Sequence, residues 1–214
     1  SMSQSISLQK KSILVTGGAR GLGKAFASSL VKAGAQVAIA DILVEEGNAT
    51  ANSIGAQFFE LDISDPAGVT GCIVEVIKRL GGLDGLVNNA AIATGIGGPG
   101  MTDIEVEVWD KVMDVNVRGT WLVSKAAVPH LAKCGNGKIL NLASDTALWG
   151  ATNLMHYVAS KGAVVAMTRS MANELGEKGI SVNCIAPGLT KVEATEYVPE
   201  ERKQLYRKNR SFKK

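Results

Sequence analysis

Thr16–Gly23 reads TGGARGLG, directly after the apolar run Ser12–Thr16 (SILVT) and at the start of Gly21–Ala33, where Phe26, Leu30 and Ala33 recur at helical spacing. A glycine-rich turn between a strand and a helix can cradle a pyrophosphate. Gly17 permits the tight turn, Gly21 lets backbone approach the anion, and Gly23 lets the helix pack closely on the strand. The anion would then meet free N–H groups and the positive end of the helix. A purely structural turn is the other reading that the loop alone leaves open. Gly18–Lys24 (GARGLGK) also fits the first seven positions of a triphosphate-binding P-loop. The next residue is Ala25, where that loop needs a hydroxyl for Mg²⁺, so the triphosphatase reading fails at its metal.

The same alternation continues outward from the loop. Gln36–Ala40, Gln57–Leu61, Gly85–Asn88, Lys138–Leu142 and Ile180–Ile185 read as further strands, separated by helical patterns over 44–54, 66–80, 103–133 and 153–176. The 66–80 helix starts at Asp65-Pro66, and the 103–133 region is interrupted near Asn116 and Gly119. Strands apolar throughout are buried on both faces, as in parallel sheets. Strand–helix alternation then predicts right-handed crossovers and a Rossmann-type, doubly wound α/β sheet in a single domain spanning 1–214. Ser1-Met2 reads as an expression scar.

Composition narrows the class. The chain has 214 residues, 46% of them hydrophobic, with 24 Gly and only 5 Pro, which suits a globular protein with tight turns. Its net charge of +3 comes from a basic stretch between Arg202 and Lys214, which reads as a solvated helix end rather than a nucleic-acid or lipid arm. Cys72, Cys134 and Cys184 are odd in number and widely spaced, and only two His occur. The cysteine pattern argues against a disulfide framework or a zinc site, a His-rich metal centre is not available, and a reducing, cytoplasmic setting is expected. No run approaches the length of a membrane span.

Asp41 lies at the end of the second strand, about 20 residues beyond the loop, where an acid accepts hydrogen bonds from ribose hydroxyls and repels a 2′-phosphate. Arg20 pulls the other way by offering that phosphate a cation. Desolvating a carboxylate beside a phosphate costs more than one flexible Arg recovers, so NAD is expected. A helix N-cap is the alternative role for Asp41. Tyr157 and Lys161 are four residues apart on a helical segment, hence on one face with β-carbons about 5–6 Å apart. A nearby ammonium favours phenolate by roughly 3 kcal/mol, which brings the phenol towards the range useful for proton transfer.

Ser144 precedes Tyr157 by thirteen residues, just beyond the fifth strand. Taken with TGGARGLG, this order of motifs resembles the short-chain dehydrogenase/reductase family, from about Lys10 to Thr190. Asn88-Asn89-Ala90-Ala91 is similar to the family's Asn-Asn-Ala-Gly segment, with Ala91 in place of Gly. Asn116 matches the family's active-site Asn, Pro187-Gly188 its Pro-Gly beside the nicotinamide, and Asp62 its adenine contact. The resemblance implies an NAD-dependent oxidoreductase moving a hydride between cofactor and a secondary alcohol or ketone. Tyr157 would be the general acid/base, Ser144 a donor to the substrate oxygen, Lys161 the aid to Tyr157 and a ribose ligand, and Asn116 the support of a relay water. The implied cofactor contacts are Gly17, Arg20, Gly21, Leu22, Gly23, Asp41, Asp62, Ile63, Asn89, Ala90, Ala91, Tyr157, Lys161, Pro187, Gly188 and Thr190.

The resemblance also implies a homodimer or homotetramer, paired through the helices around 103–133 and 153–176. Relatives continue past Lys214 with another helix and a seventh strand, so the expectation is a chain that binds cofactor better than it turns over substrate. Trp149, Ile92 and Met155 are candidate pocket residues, equally consistent with core. Two other functions stay open: reduction of a 3-oxoacyl thioester, and a catalytically silent NAD-binding interaction protein.

Overall fold

Six short strands pair edge to edge, all parallel, because every connection between them crosses over through a helix. A computed structural model describes residues 7–187. The elements run β1 (Ser12–Thr16), α1 (Gly21–Lys32), β2 (Gln36–Asp41), α2 (Val44–Ile54), β3 (Gln57–Glu60), α3 (Pro66–Leu80) and β4 (Gly85–Asn88). There follow α4 (Val106–Met113), α5 (Thr120–Lys133), β5 (Lys138–Leu142), α6 (Thr146–Trp149), α7 (Met155–Leu175) and β6 (Ser181–Ile185). The sheet order is β3-β2-β1-β4-β5-β6, the doubly wound Rossmann arrangement.

Strand periodicity divides the core between the two faces. Leu14, Leu86 and Ile139 point to one face, where Val69, Ile73 and Val76 of α3 and Val123, Ala127 and Leu131 of α5 cover them. Ile13, Val15, Val37 and Ile39 point to the other, against Ala27 of α1 and Ala51 of α2. Burial on both faces holds throughout β1 and β4. It does not hold for β3 and β6, the outer strands of the described sheet: β3 exposes its two end residues and β6 every second residue.

The 103–133 region resolves into a 3₁₀ turn at Met101–Asp103, α4, a π-helical turn at Asp114–Gly119, and α5. The interruption near Asn116 and Gly119 is thus a π turn inside a continuous helix, a form often found at functional sites. The 153–176 helix begins at Met155, because Asn153 takes a left-handed φ of 56° that a helix cannot include. A short helix, α6, stands where the sequence patterns show none. Among the described residues no helix is long and apolar enough to cross a membrane. Gly188, Thr190, the basic stretch beyond Arg202 and the expectations about the chain's last segment lie outside the described residues.

Winding in opposite directions from β1 and β4 opens a crevice at their C-terminal ends, the switch point where open α/β sheets bind ligands.

Candidate active site

At the switch point the Thr16 hydroxyl oxygen accepts from the backbone N–H groups of Asn89 (3.1 Å) and Ala90 (3.0 Å). It thereby joins the end of β1 to the segment leaving β4. The Asn89 side-chain amide donates to the Gly17 carbonyl at 3.1 Å. Gly17 itself has φ +66°, a turn that a side chain would strain. Gly23 packs so closely that a β-carbon there would collide with the Gly17 carbonyl and the Asn89 amide. The sequence assigned that glycine to helix–strand packing; the contact is with the loop and Asn89. No side chain caps α1 and no acid stands in its first turn, so its leading N–H groups face the crevice without a competing carboxylate. An uncapped helix end above a glycine cradle fits a dinucleotide pyrophosphate.

Asp41 is held from both sides: Oδ2 accepts from Ala19 N–H and Oδ1 from Leu43 N–H, each at 3.1 Å. The N-cap of α2 is Leu43, so Asp41 braces the loop and a turn rather than capping the helix. Arg20 is paired with Glu46 at 3.9 Å, across half-exposed side chains. Asp62 is exposed, and its carboxyl is held below the ordinary range by Ser64, whose hydroxyl and N–H both donate to Oδ1. Ile63 buries its side chain in the core, so only its backbone can meet a ligand. Ala91 and Pro187 are half-buried at the ends of their segments.

The polar side chains gather at the ends of β5 and α7. Lys161 is 5% exposed and donates to the Leu142 carbonyl at 2.8 Å, which ties α7 to the last residue of β5. Burial pushes its ammonium down to about 8, opposed by the charge of Cys184. Its nitrogen stands 6.0 Å from the centre of the Tyr157 ring. Ser144, two residues beyond Leu142, accepts hydrogen bonds from the hydroxyl (2.9 Å) and N–H (3.3 Å) of Thr146. Tyr157 is half-buried and shares a small apolar cluster with Trp149, Ile96 and Val158 around Ala151 and Leu154. Trp149 thus lines the Tyr157 side of the site, with Met155 exposed nearby in sequence.

Asn116 sits in the π turn with its amide fully engaged. Its Oδ1 accepts from Ile92 N–H (2.7 Å), while Nδ2 donates to the Ile92 carbonyl (3.0 Å) and to Ser160 Oγ (3.1 Å). It clamps the segment after β4 to α7 one residue from Lys161. Ile92 is part of that clamp through its backbone. Thr16, Thr146 and Ser160 were missed from the sequence, since lone hydroxyl residues carry no spacing signal. So was His156, which lies wholly buried beside Tyr157 with neither ring nitrogen bonded among the described residues.

A family model for short chain dehydrogenases matches residues 11–203. A 3-alpha-(or 20-beta)-hydroxysteroid dehydrogenase of Mycobacterium bovis is 40% identical over 193 residues, covering 89% of this chain and 73% of that protein. Sorbitol dehydrogenase of Cereibacter sphaeroides is 40% identical over 185 residues, covering 85% and 71%. Among solved structures, 3-ketoacyl-(acyl-carrier-protein) reductase from Brucella melitensis, complexed with NADH, superposes with a TM-score of 0.86 at 32% identity, covering 89% of this chain and 80% of that one.

Proposed function

The chain belongs to the short-chain dehydrogenase family, and from that premise we propose that it moves a hydride between NAD(H) and a secondary alcohol or its ketone. One observation carries this reading: the Lys161 ammonium, buried and fixed to Leu142, lies close to the Tyr157 ring. With its pKa lowered to about 8 it is still mainly cationic at neutral pH, so it favours the phenolate form of its neighbour.

When bound, the dinucleotide supplies or takes up the hydride. Tyr157 gives a proton to the substrate oxygen in reduction and removes it in oxidation. Ser144 donates a hydrogen bond to that oxygen and so stabilises its alkoxide-like charge. Lys161 makes one hydrogen bond among the described residues, leaving N–H groups to meet ribose hydroxyls. Both amide N–H groups of Asn116 are engaged, so it would support a relay water through an oxygen. The uncapped α1 end and the Gly17–Gly23 loop hold the pyrophosphate, with Asp41 at the adenosine ribose.

NAD, rather than its 2′-phosphorylated form, is supported by local charge. Asp41 is fixed beside the loop, and Glu46 already engages the one loop cation, Arg20. The Brucella relative with NADH points the same way. Trp149 packs with Tyr157, and Leu148 and Met155 are exposed near Ser144 and Tyr157 in sequence, which favours a substrate with an apolar body. Free Cys72, Cys134 and Cys184 suit a reducing cytoplasm. Copies would pair where α4, α5 and α7 meet, around an apolar depression of about 410 Å³ lined by Met113, Val117, Trp121 and Met167.

The test is a panel of secondary alcohols, cyclic, aryl-alkyl and 3-hydroxyacyl thioester, each with NAD and followed by NADH absorbance. Turnover of a free alcohol supports the reading, and preference for the thioester moves it to an acyl-thioester reductase. If calorimetry shows NAD bound yet no compound yields NADH, the protein is a silent binder and the reading fails.

A further inference from the structure

We propose that Thr146 is a positioning residue that makes Ser144 a one-way hydrogen-bond donor towards the reacting oxygen. The inference rests on Ser144 meeting the substrate, as argued above. A serine hydroxyl has one hydrogen to give and two lone pairs to receive. The Thr146 N–H donates to Ser144 Oγ at 3.3 Å and the two hydroxyl oxygens stand 2.9 Å apart, so when Ser144 turns its hydrogen to the substrate, the Thr146 hydroxyl donates into the second lone pair. The only bonding capacity left to Ser144 is its own hydrogen.

The arrangement is fixed by its surroundings. Ser144 and Thr146 are 8% and 2% exposed, so water has little access to compete for either hydroxyl. The backbone between them is held by Ala147 N–H on the Ser144 carbonyl (3.2 Å) and Gly150 N–H on the Thr146 carbonyl (2.9 Å). The Thr146 backbone therefore cannot move away from Ser144 without unwinding α6. An accepting hydroxyl is also a better donor, since chains of hydrogen bonds polarise one another.

Two consequences follow for the reaction. The hydrogen of Ser144 is available at the substrate oxygen, where negative charge develops, without a rotation at the moment of reaction. An alcohol substrate cannot leave its own proton on Ser144, because no lone pair there is free to receive it. That proton is directed to Tyr157.

The experiment uses Thr146→Val, which keeps the shape and removes the hydroxyl, Thr146→Ser, which restores it, and both Ser144→Ala and the Ser144→Ala/Thr146→Val double variant. Thr146→Val should lower kcat about tenfold while the KM for NAD changes less than about twofold, the order expected for losing one buried hydrogen bond used in the transition state. Thr146→Ser should recover most of the loss. In the Ser144→Ala background the valine should cost nothing further, a result that a purely structural role would not give. Should Thr146→Val fail to fold by circular dichroism, Thr146→Ala also removes the hydroxyl and replaces it in every comparison. A kcat unchanged in Thr146→Val, no recovery with Thr146→Ser, or the same loss with and without Ser144 would each overturn the proposal. If Ser144→Ala were itself fully active, the assignment of Ser144 would fail first, and the two failures are thereby separated.

Discussion

The ammonium of Lys161 donates to the carbonyl of Leu142 at 2.8 Å, and this bond helps join the helix that carries Tyr157 to the strand that leads to Ser144. Asn141 of the same strand adds a second tie, its side-chain N–H donating to Thr168 Oγ1 of the same helix at 3.0 Å. β5 ends at Leu142 and α7 begins at Met155, with α6 and a loop between. The cost of the joint is a positive charge in a buried place, and burial is the first cause of its lowered pKa.

That cost predicts a stabilised but inactive variant. The Lys161 pKa falls from 10.5 to about 8 on folding, so between those values the unfolded chain binds more protons and stability rises with pH. Below pH 8 the full penalty applies, up to roughly 3 kcal/mol for such a shift. Lys161→Met should therefore raise Tm at pH 7, and the gap should narrow from pH 8 to 10 as the wild type sheds its charge. Turnover should be lost throughout. A variant melting at or below the wild-type temperature at pH 7 would show that the buried ammonium is not the burden described.

Tyr157→Phe deletes one hydroxyl from a ring that is packed against Trp149 and Val158, so the fold and the distant loop are undisturbed. NAD titration by calorimetry should give nearly the wild-type affinity, with turnover reduced at least about a hundredfold, as for loss of a general acid/base. Retention of more than about a tenth of the rate would remove Tyr157 from that role.

Local patterns made much of this legible. α2 and α3 span the residues that their periodicity indicates, and β1, β4 and β5 coincide with their apolar runs. Strand–helix alternation was enough for the doubly wound parallel sheet, because right-handed crossovers leave few choices. The π turn was visible only as an interruption. Its form depends on Asn116 bonding Ile92, 24 residues away, a contact no window of sequence contains. Likewise Asp41 was readable as an acid at a strand end, but its hold on Ala19 exists only once β2 lies beside β1. Thr146 acts on a residue just two positions back, yet it needed the turn of α6 to bring its hydroxyl round.

Trp121 is exposed on α5 beside the apolar depression, with the Lys125 ammonium 5.0 Å from its ring centre. If copies pair at this face as proposed, Trp121→Glu should give a smaller species than the parent chain by light scattering. The fold should survive, since the new carboxylate stands one helical turn before Lys125 and can pair with it. An unchanged molecular mass would place the subunit contact elsewhere.

Cofactor choice should respond to three side chains that lie outside the reacting centre. On the proposed reading Asp41 would repel a 2′-phosphate, Ile42 beside it is exposed and free to be replaced, and Glu46 pairs with Arg20. Asp41→Ala with Ile42→Arg removes the repulsion and adds a planar cation suited to phosphate. The ratio of kcat/KM for NADP over NAD should rise at least about tenfold, equivalent to about 1.4 kcal/mol. Adding Glu46→Gln should raise it again, because Arg20 is then released to the same phosphate. Absolute activity should fall in both variants, since Asp41 also braces Ala19 and Leu43 through its two oxygens. The ratio isolates recognition from that loss, because a loosened loop weakens both cofactors alike. A ratio that stays at the wild-type value in the double and triple variants would show that Asp41 is there for the loop alone, and NAD preference would need another source.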